Sequence, residues 1–178
     1  MSTLRSFVFL GAPLVALALT ACATPVLQNA QTTQASDPDH DAVLAVVARA
    51  FEAINNDDQE AWREVLLDDG HFSSVRGSAG ERDAGARSFR DALANPTDRG
   101  GAVWLERMWE PTVLVDGDMA TVWTRYDFFI DGAFSHCGVD VFVLLQTDEG
   151  WKISSLAWTV ERDGCPESPL GPVEPPQR

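Results

Sequence analysis

Residues 131–142 read DGAFSHCGVDVF, and within them His136, Cys137 and Asp140 place an imidazole, a thiol and a carboxylate in five positions. Three chemistries use such groups. A metal site fails on direction: adjacent strand residues point to opposite faces, so His136 and Cys137 cannot ligate one ion. No C-x-x-C or H-x-x-x-H pairing compensates among the chain's three histidines, and no metal or cofactor is expected. A Cys137 nucleophile activated by His136 fails for the same reason. Acid–base chemistry survives. With Asp131-Gly132 as a two-residue hairpin turn, Asp127 meets His136, Trp123 meets Asp140 and Tyr126 meets Cys137. His136, Asp127 and Asp140 are therefore the catalytic candidates, a carboxylate and imidazole set able to exchange protons with a ligand carbonyl or hydroxyl. The same residues can equally form a hydrogen-bonded polar patch between subunits. On the other face, Arg107 and Tyr126 with His71 at the mouth are candidate ligand-binding residues. Arg107 there can pair an anionic ligand, or simply bridge to Glu52 or Glu64. Trp123 is a candidate for stacking on a flat ligand.

The elements that must position these groups are legible from periodicity. Asp41–Asn55 carries apolar residues at 43, 44, 46, 47, 50, 51 and 54, a helical stripe. Gln59–Leu67 predicts a second helix, 71–77 a strand, a polar loop through Gly85, and 86–94 a third helix stopped by Asn95-Pro96. From residue 101 the pattern changes to long β-rich runs separated by Asp116-Gly117, Asp131-Gly132 and Asp148-Glu149-Gly150, which predict a four-strand antiparallel meander. The fold class is α+β, a roll with three N-terminal helices packed on a curved, mainly antiparallel sheet. Counting from the turns puts Arg107 opposite Tyr126, Val143 opposite Ser155 and Thr147 opposite Trp151. One face then carries Val113, Val115, Ala120, Val122, Val139, Val141, Val143, Leu145 and Ile153. The other carries Trp123, Phe129, Phe142, Leu144, Leu156 and Trp158 together with Asp127, His136 and Asp140. Two apolar faces call for two covers, and a homodimer through the sheets is the economical second one.

The N-terminus carries Arg5, the apolar run FVFLGAPLVALAL and then Leu19-Thr20-Ala21-Cys22. The run is too short and too proline-interrupted for a permanent span. Leu-Thr-Ala-Cys resembles a bacterial lipoprotein lipobox. That resemblance implies a signal peptide over residues 1–21, lipidation at Cys22 and, with Ala23 next, the periplasmic face of the outer membrane in the cell envelope. Residues 22–40 read as a flexible tether, 41–164 as the folded domain, and 165–178, with five of the ten prolines, as a Pro-rich disordered tail. Removing residues 1–21 takes away Arg5 and no acid, so the formal charge moves from −14 to −15. An anionic surface of that size repels nucleic acid. If Cys22 is lipidated, Cys137 and Cys165 are the remaining thiols in a compartment where disulfides persist. The register sets Cys137 opposite Glu161, within reach of Cys165, so a disulfide is preferred over two free thiols.

The segments FEAINNDDQEAWREVL, VLVDGDMATVWTRYDF, FSHCGVDVFVLL and GWKISSLAWTV, spanning residues 41–161, resemble the nuclear transport factor 2-like superfamily. They are closest to its bacterial lumazine-binding and SnoaL-like subgroup. The resemblance implies a cone-shaped fold, frequent homodimers, and activities that range from binding modules to isomerases, dehydratases and cyclases. The isomerase pattern wants a tyrosine on the first helix, which has none here; Tyr126 is the chain's one tyrosine. Two functions follow as expectations. The first is a non-catalytic, lipid-anchored module for a small apolar or aromatic ligand or a protein partner. The alternative is a dehydratase, cyclase or isomerase working through carboxylate and His.

Overall fold

The computed structural model describes residues 38–77 and 80–174. The expected signal peptide, Cys22 and all but the end of the expected tether lie outside the described residues. Helix α1 (Pro38–Asn56) is followed by α2 (Gln59–Val65), strands β1 (Leu66–Arg76) and β2 (Asp83–Ser88), and α3 (Phe89–Ala94). Four long strands then follow: β3 (Trp104–Asp116), β4 (Met119–Ile130), β5 (Ala133–Thr147) and β6 (Gly150–Val160). They form one six-stranded sheet in the order β2-β1-β6-β5-β4-β3. All neighbours run antiparallel except β1 and β6, which are parallel. The α+β roll expected from the sequence is the fold observed.

Local chemistry explains the helix limits. Asp58 caps α2 by accepting from the backbone N–H groups of Glu60 and Ala61 at 3.0 and 2.9 Å. Ser88 does the same for α3, accepting from Asp91 N at 3.1 Å. That cap sits at residue 88, so Asp83–Ser88 is an edge strand rather than the start of the third helix. The stripe on α1 buries Val43, Val47, Ala50 and Phe51 against Val122, Tyr126, Phe142, Leu144 and Ile153 of the sheet, which defines the inner face.

Three irregularities decide which side chains share that face. The β3–β4 loop is Gly117-Asp118, so Asp116 pairs with Met119 and Val113 with Val122. A bulge at Glu110-Pro111 then shifts the register by one, and Arg107 faces Asp127, not Tyr126. Glu110 takes a left-handed conformation there (φ 53°), and Thr124 Oγ1 donates to the carbonyl of Trp109 at 3.0 Å. In β5 the Asp131-Gly132 turn is as expected, with both residues at positive φ. One extra residue at Ser135 nonetheless pairs His136 with Phe128 and Cys137 with Asp127. A third shift at Ser154 restores the expected Val143–Ser155 pairing, although Trp151 meets Gln146 rather than Thr147.

Each one-residue shift reverses the faces beyond it. Phe142, Leu144, Leu156, Trp158, His136 and Asp140 point inward, contrary to expectation. Val139, Val141, Val143, Leu145 and Arg107 point outward. The apolar residues most open on the outer face are Leu114 and Met119, 67% and 55% exposed.

Strand β3 is an edge, and α1 ties part of it down. Asn55 Nδ2 donates to Glu106 O at 3.0 Å, and Glu106 N donates to Asn55 Oδ1 at 2.6 Å. One side chain thus substitutes for a neighbouring strand. Arg99 fixes the same corner: it donates to Ile54 O at 2.7 Å, pairs with Asp57 at 3.2 Å and lies 4.4 Å over the Trp104 ring. Replacing Asn55 by Ala leaves two backbone groups without partners and should cost roughly 2 kcal/mol. Urea unfolding of Asn55→Ala against wild type measures it.

Candidate functional site

The inner face, read strand to strand, is a grid. One row runs Arg76, Val160, then Gly138, Tyr126 and Met108. The next row inward holds Ser74, Trp158, Asp140 and Thr124, while the row toward the opening holds His136, Phe128 and Glu106. Asp140 is 3% exposed. Its carboxyl and that of Glu106 lie within hydrogen-bonding reach of each other. Neither acid takes part in an ion pair among the described residues.

Burial controls the charge on this pair. It pushes Glu106 up to about 8; the hydrogen bond from Asp140 opposes that rise and the nearby charge of Asp127 adds to it. Asp140 is also driven well above the usual carboxylate range, by burial first and then by Glu106. At neutral pH the pair therefore keeps a proton that isolated carboxyls would have lost. His136 moves the other way, down to about 4, because burial and then Arg162 and Arg76 disfavour the imidazolium. The neutral ring stacks on Phe128 with centroids 4.8 Å apart, and its Nδ1 lies 3.0 Å from Ser135 Oγ. Nε2 has no partner among the described residues.

Tyr126 is already engaged. Its hydroxyl donates to Thr159 O at 2.6 Å, and burial raises its pKa further. Gly138 makes this possible, because a Cβ there would stand 2.6 Å from Tyr126 Cε1 and would strike the Thr159 carbonyl. Trp104, Met108, Phe72 and Trp158 complete the lining and are partly buried, as is Glu106, so the interior keeps some accessible surface near its opening. Two clefts lie elsewhere. One of about 310 Å³ sits among α2, β1 and α3, and one of about 670 Å³ lies between the outer face of β3–β4 and the C-terminal segment. Neither includes the carboxyl pair.

Of the residues expected in a site, the structure brings together His136, Asp140 and Tyr126. Asp127 and Arg107 are joined on the outer face by two bonds of 2.8 and 2.6 Å. Trp123 is also outside, with Arg125 5.6 Å over its ring. His71 is outside as well, 3.4 Å from Ser155 Oγ. Asp127 and Trp123 keep the face expected of them, His71 takes its face from its pairing with Ser155, and Arg107 is turned outward by the bulge at Glu110-Pro111. Glu106 was missed for the same reason. A Glu-Pro pair within a β-rich run was the available signal, since proline in a strand marks an edge or a bulge. The predicted disulfide is present: Cys137 and Cys165 are bonded with Cα atoms 5.9 Å apart, and Cys137 bridges Glu161 as expected.

Residues 43–157 match the model of the SnoaL-like domain, and the chain belongs to that family. Among solved structures it is similar to a nuclear transport factor 2-like protein with a cystatin-like fold from Novosphingobium aromaticivorans. The identity is 22%, the TM-score 0.56, and the match covers 71% of this chain and 84% of that one. It is also similar to a nuclear transport factor 2-like superfamily protein from Salmonella enterica (15%, TM-score 0.55, 70% and 92% covered). A third likeness is to a conserved protein from Planctomyces limnophilus (18%, TM-score 0.57, 68% and 95% covered). At these identities the likeness establishes the fold. No curated protein matches.

The shifts give a pH profile with two limbs. Glu106 is raised in the folded state, so its contribution to stability is fully present below about pH 4.5 and is lost as pH rises toward 8. His136 is lowered, so stability falls as pH drops from about 6.5 toward 4. Urea midpoints across pH 4–9 should show both slopes. Glu106→Gln should flatten the basic limb alone, and His136→Gln the acidic limb alone.

Proposed function

We propose that this SnoaL-like domain performs acid–base catalysis on a small, flat, largely apolar molecule held in the cone with an oxygen toward Glu106 and Asp140. The observation that carries this reading is the proton-sharing pair of the buried Asp140 and the half-buried Glu106, with the neutral His136 on the same face of the sheet. Apolar walls alone suffice to hold an apolar ligand, whereas two acids buried without a cation are costly to keep. A carboxyl that titrates near 8 can give a proton to a carbonyl or hydroxyl oxygen and recover it at neutral pH. His136 Nε2, without a partner among the described residues, is the candidate proton acceptor on the same face. The chemistry is a proton shift, of the isomerisation, dehydration or cyclisation type, on a ligand whose flat body the tryptophans and Phe72 accommodate. A heteroaromatic ring of the lumazine kind is one such body.

The second reading is a non-catalytic binding module. It is favoured by the commitment of Tyr126 to Thr159 and by the position of both clefts away from the pair. The two readings separate in one experiment. Flat cyclic ketones such as 2-tetralone are incubated with the protein in deuterium oxide, and incorporation is followed by NMR. Catalysis predicts exchange that falls by about 10²- to 10⁴-fold in Glu106→Gln and Asp140→Asn. Binding with no exchange, unchanged in both variants, supports the module instead.

For location, the reading is a lipoprotein of the bacterial envelope, anchored through Cys22 and associating as a homodimer through the outer sheet face. The Leu-Thr-Ala-Cys sequence supports the anchor, and the open Leu114, Met119 and Trp123 support the dimer. Expression with radiolabelled palmitate should label the wild-type chain and leave Cys22→Ser unlabelled. An unlabelled wild-type chain would refute the anchor.

A further inference from the structure

We propose that residues 165–174 form a strap latched onto the outer sheet face by the Cys137–Cys165 disulfide, and that reduction by a dithiol releases it. From Cys165 the segment passes over the outer face, where Pro166–Pro169 and Gly171 stand across a cleft from Trp109, Glu110 and Arg125. Trp109 pairs with Arg125 and so belongs to that face, yet it is 6% exposed. Arg107, whose guanidinium already grips Asp127, donates its remaining contact to Gly171 O at 3.0 Å.

The latch reading follows from what holds the segment. Beyond Cys165, its one hydrogen bond to the sheet among the described residues is that from Arg107. Two others, Leu170 N to Ser168 Oγ and Gly171 N to Ser168 O, stay within the segment. Ordering a single residue costs about as much as one hydrogen bond returns, so ten ordered residues need the covalent tie. The two sulfurs differ in access: Cys137 is buried and Cys165 is partly exposed. A dithiol thiolate therefore attacks Cys165, forming a mixed disulfide and expelling the Cys137 thiolate, which takes up a proton. The second thiol of the reagent then closes on its own sulfur, freeing Cys165 as a thiol. The reagent gives up two electrons and two protons, and both cysteines end reduced. Because the domain core is built by α1 and the inner face, release of the strap leaves it standing.

The test uses the full chain, oxidised or treated with dithiothreitol, under native conditions. A glutamate-specific protease is followed by mass spectrometry at Glu167, with hydrogen exchange read over residues 106–111 and 43–53. Reduction should speed cleavage at Glu167 at least tenfold and deprotect 106–111, while 43–53 stays protected. Cys165→Ser should behave as the reduced protein does. Equal cleavage rates in both states would overturn the proposal. So would loss of protection throughout 43–53, which would make the disulfide a staple of the whole domain.

Discussion

Everything that meets in the centre of this molecule depends on strand alternation and on where it is interrupted. A strand sends successive side chains to opposite faces, so one inserted residue exchanges the two faces for the rest of its length. The insertion at Glu110-Pro111 turns Glu106 inward and Arg107 outward; the one at Ser135 turns His136 and Asp140 inward. Losing either one alone would divide the carboxyl pair across the sheet, and losing the first would point Arg107 among the aromatic residues of the cone. The Thr124 hydroxyl, bonded to the Trp109 carbonyl, shows how the fold accommodates one of these breaks without leaving a polar group unsatisfied.

The two faces then handle the same problem, a buried acid, in different ways. Outside, Asp127 is met by a guanidinium in fork geometry, the strongest form of ion pairing a side chain offers. Inside, Glu106 and Asp140 face each other with no ion pair among the described residues, and burial answers by holding a proton on the pair. The outer arrangement is a finished contact. The inner one keeps an exchangeable proton on the face that also carries the neutral His136, which is what the proposed acid–base chemistry requires.

Most of the elements were legible in the sequence. The stripe on α1, the Asp131-Gly132 turn and the meander from residue 101 are local signals, and each appears in the structure. The Cys137–Glu161 bridge was legible because it depends on the β5–β6 turn, where a shorter loop and the shift at Ser154 cancel. The site was legible only in part. His136 and Asp140 were recognised by type, whereas their partner Glu106 was not, because its direction depends on a left-handed Glu110 that no periodicity reveals. The strand Asp83–Ser88 was missed for a related reason: its polar, exposed residues carry no alternation, and only pairing with β1 makes it a strand.

The clamp of Asn55 on Glu106 has a consequence for the life of the protein at high concentration. A thirteen-residue edge strand with free N–H and C=O groups is a template on which other chains can grow a fibril. Here a helix side chain occupies part of that edge, and Pro111 beside a bulge breaks its regularity. The opposite edge, β2, is six residues long and carries Asp83 and Arg87. A sheet so finished at both margins resists recruiting strands from its neighbours, and the molecule stays a discrete particle rather than a seed.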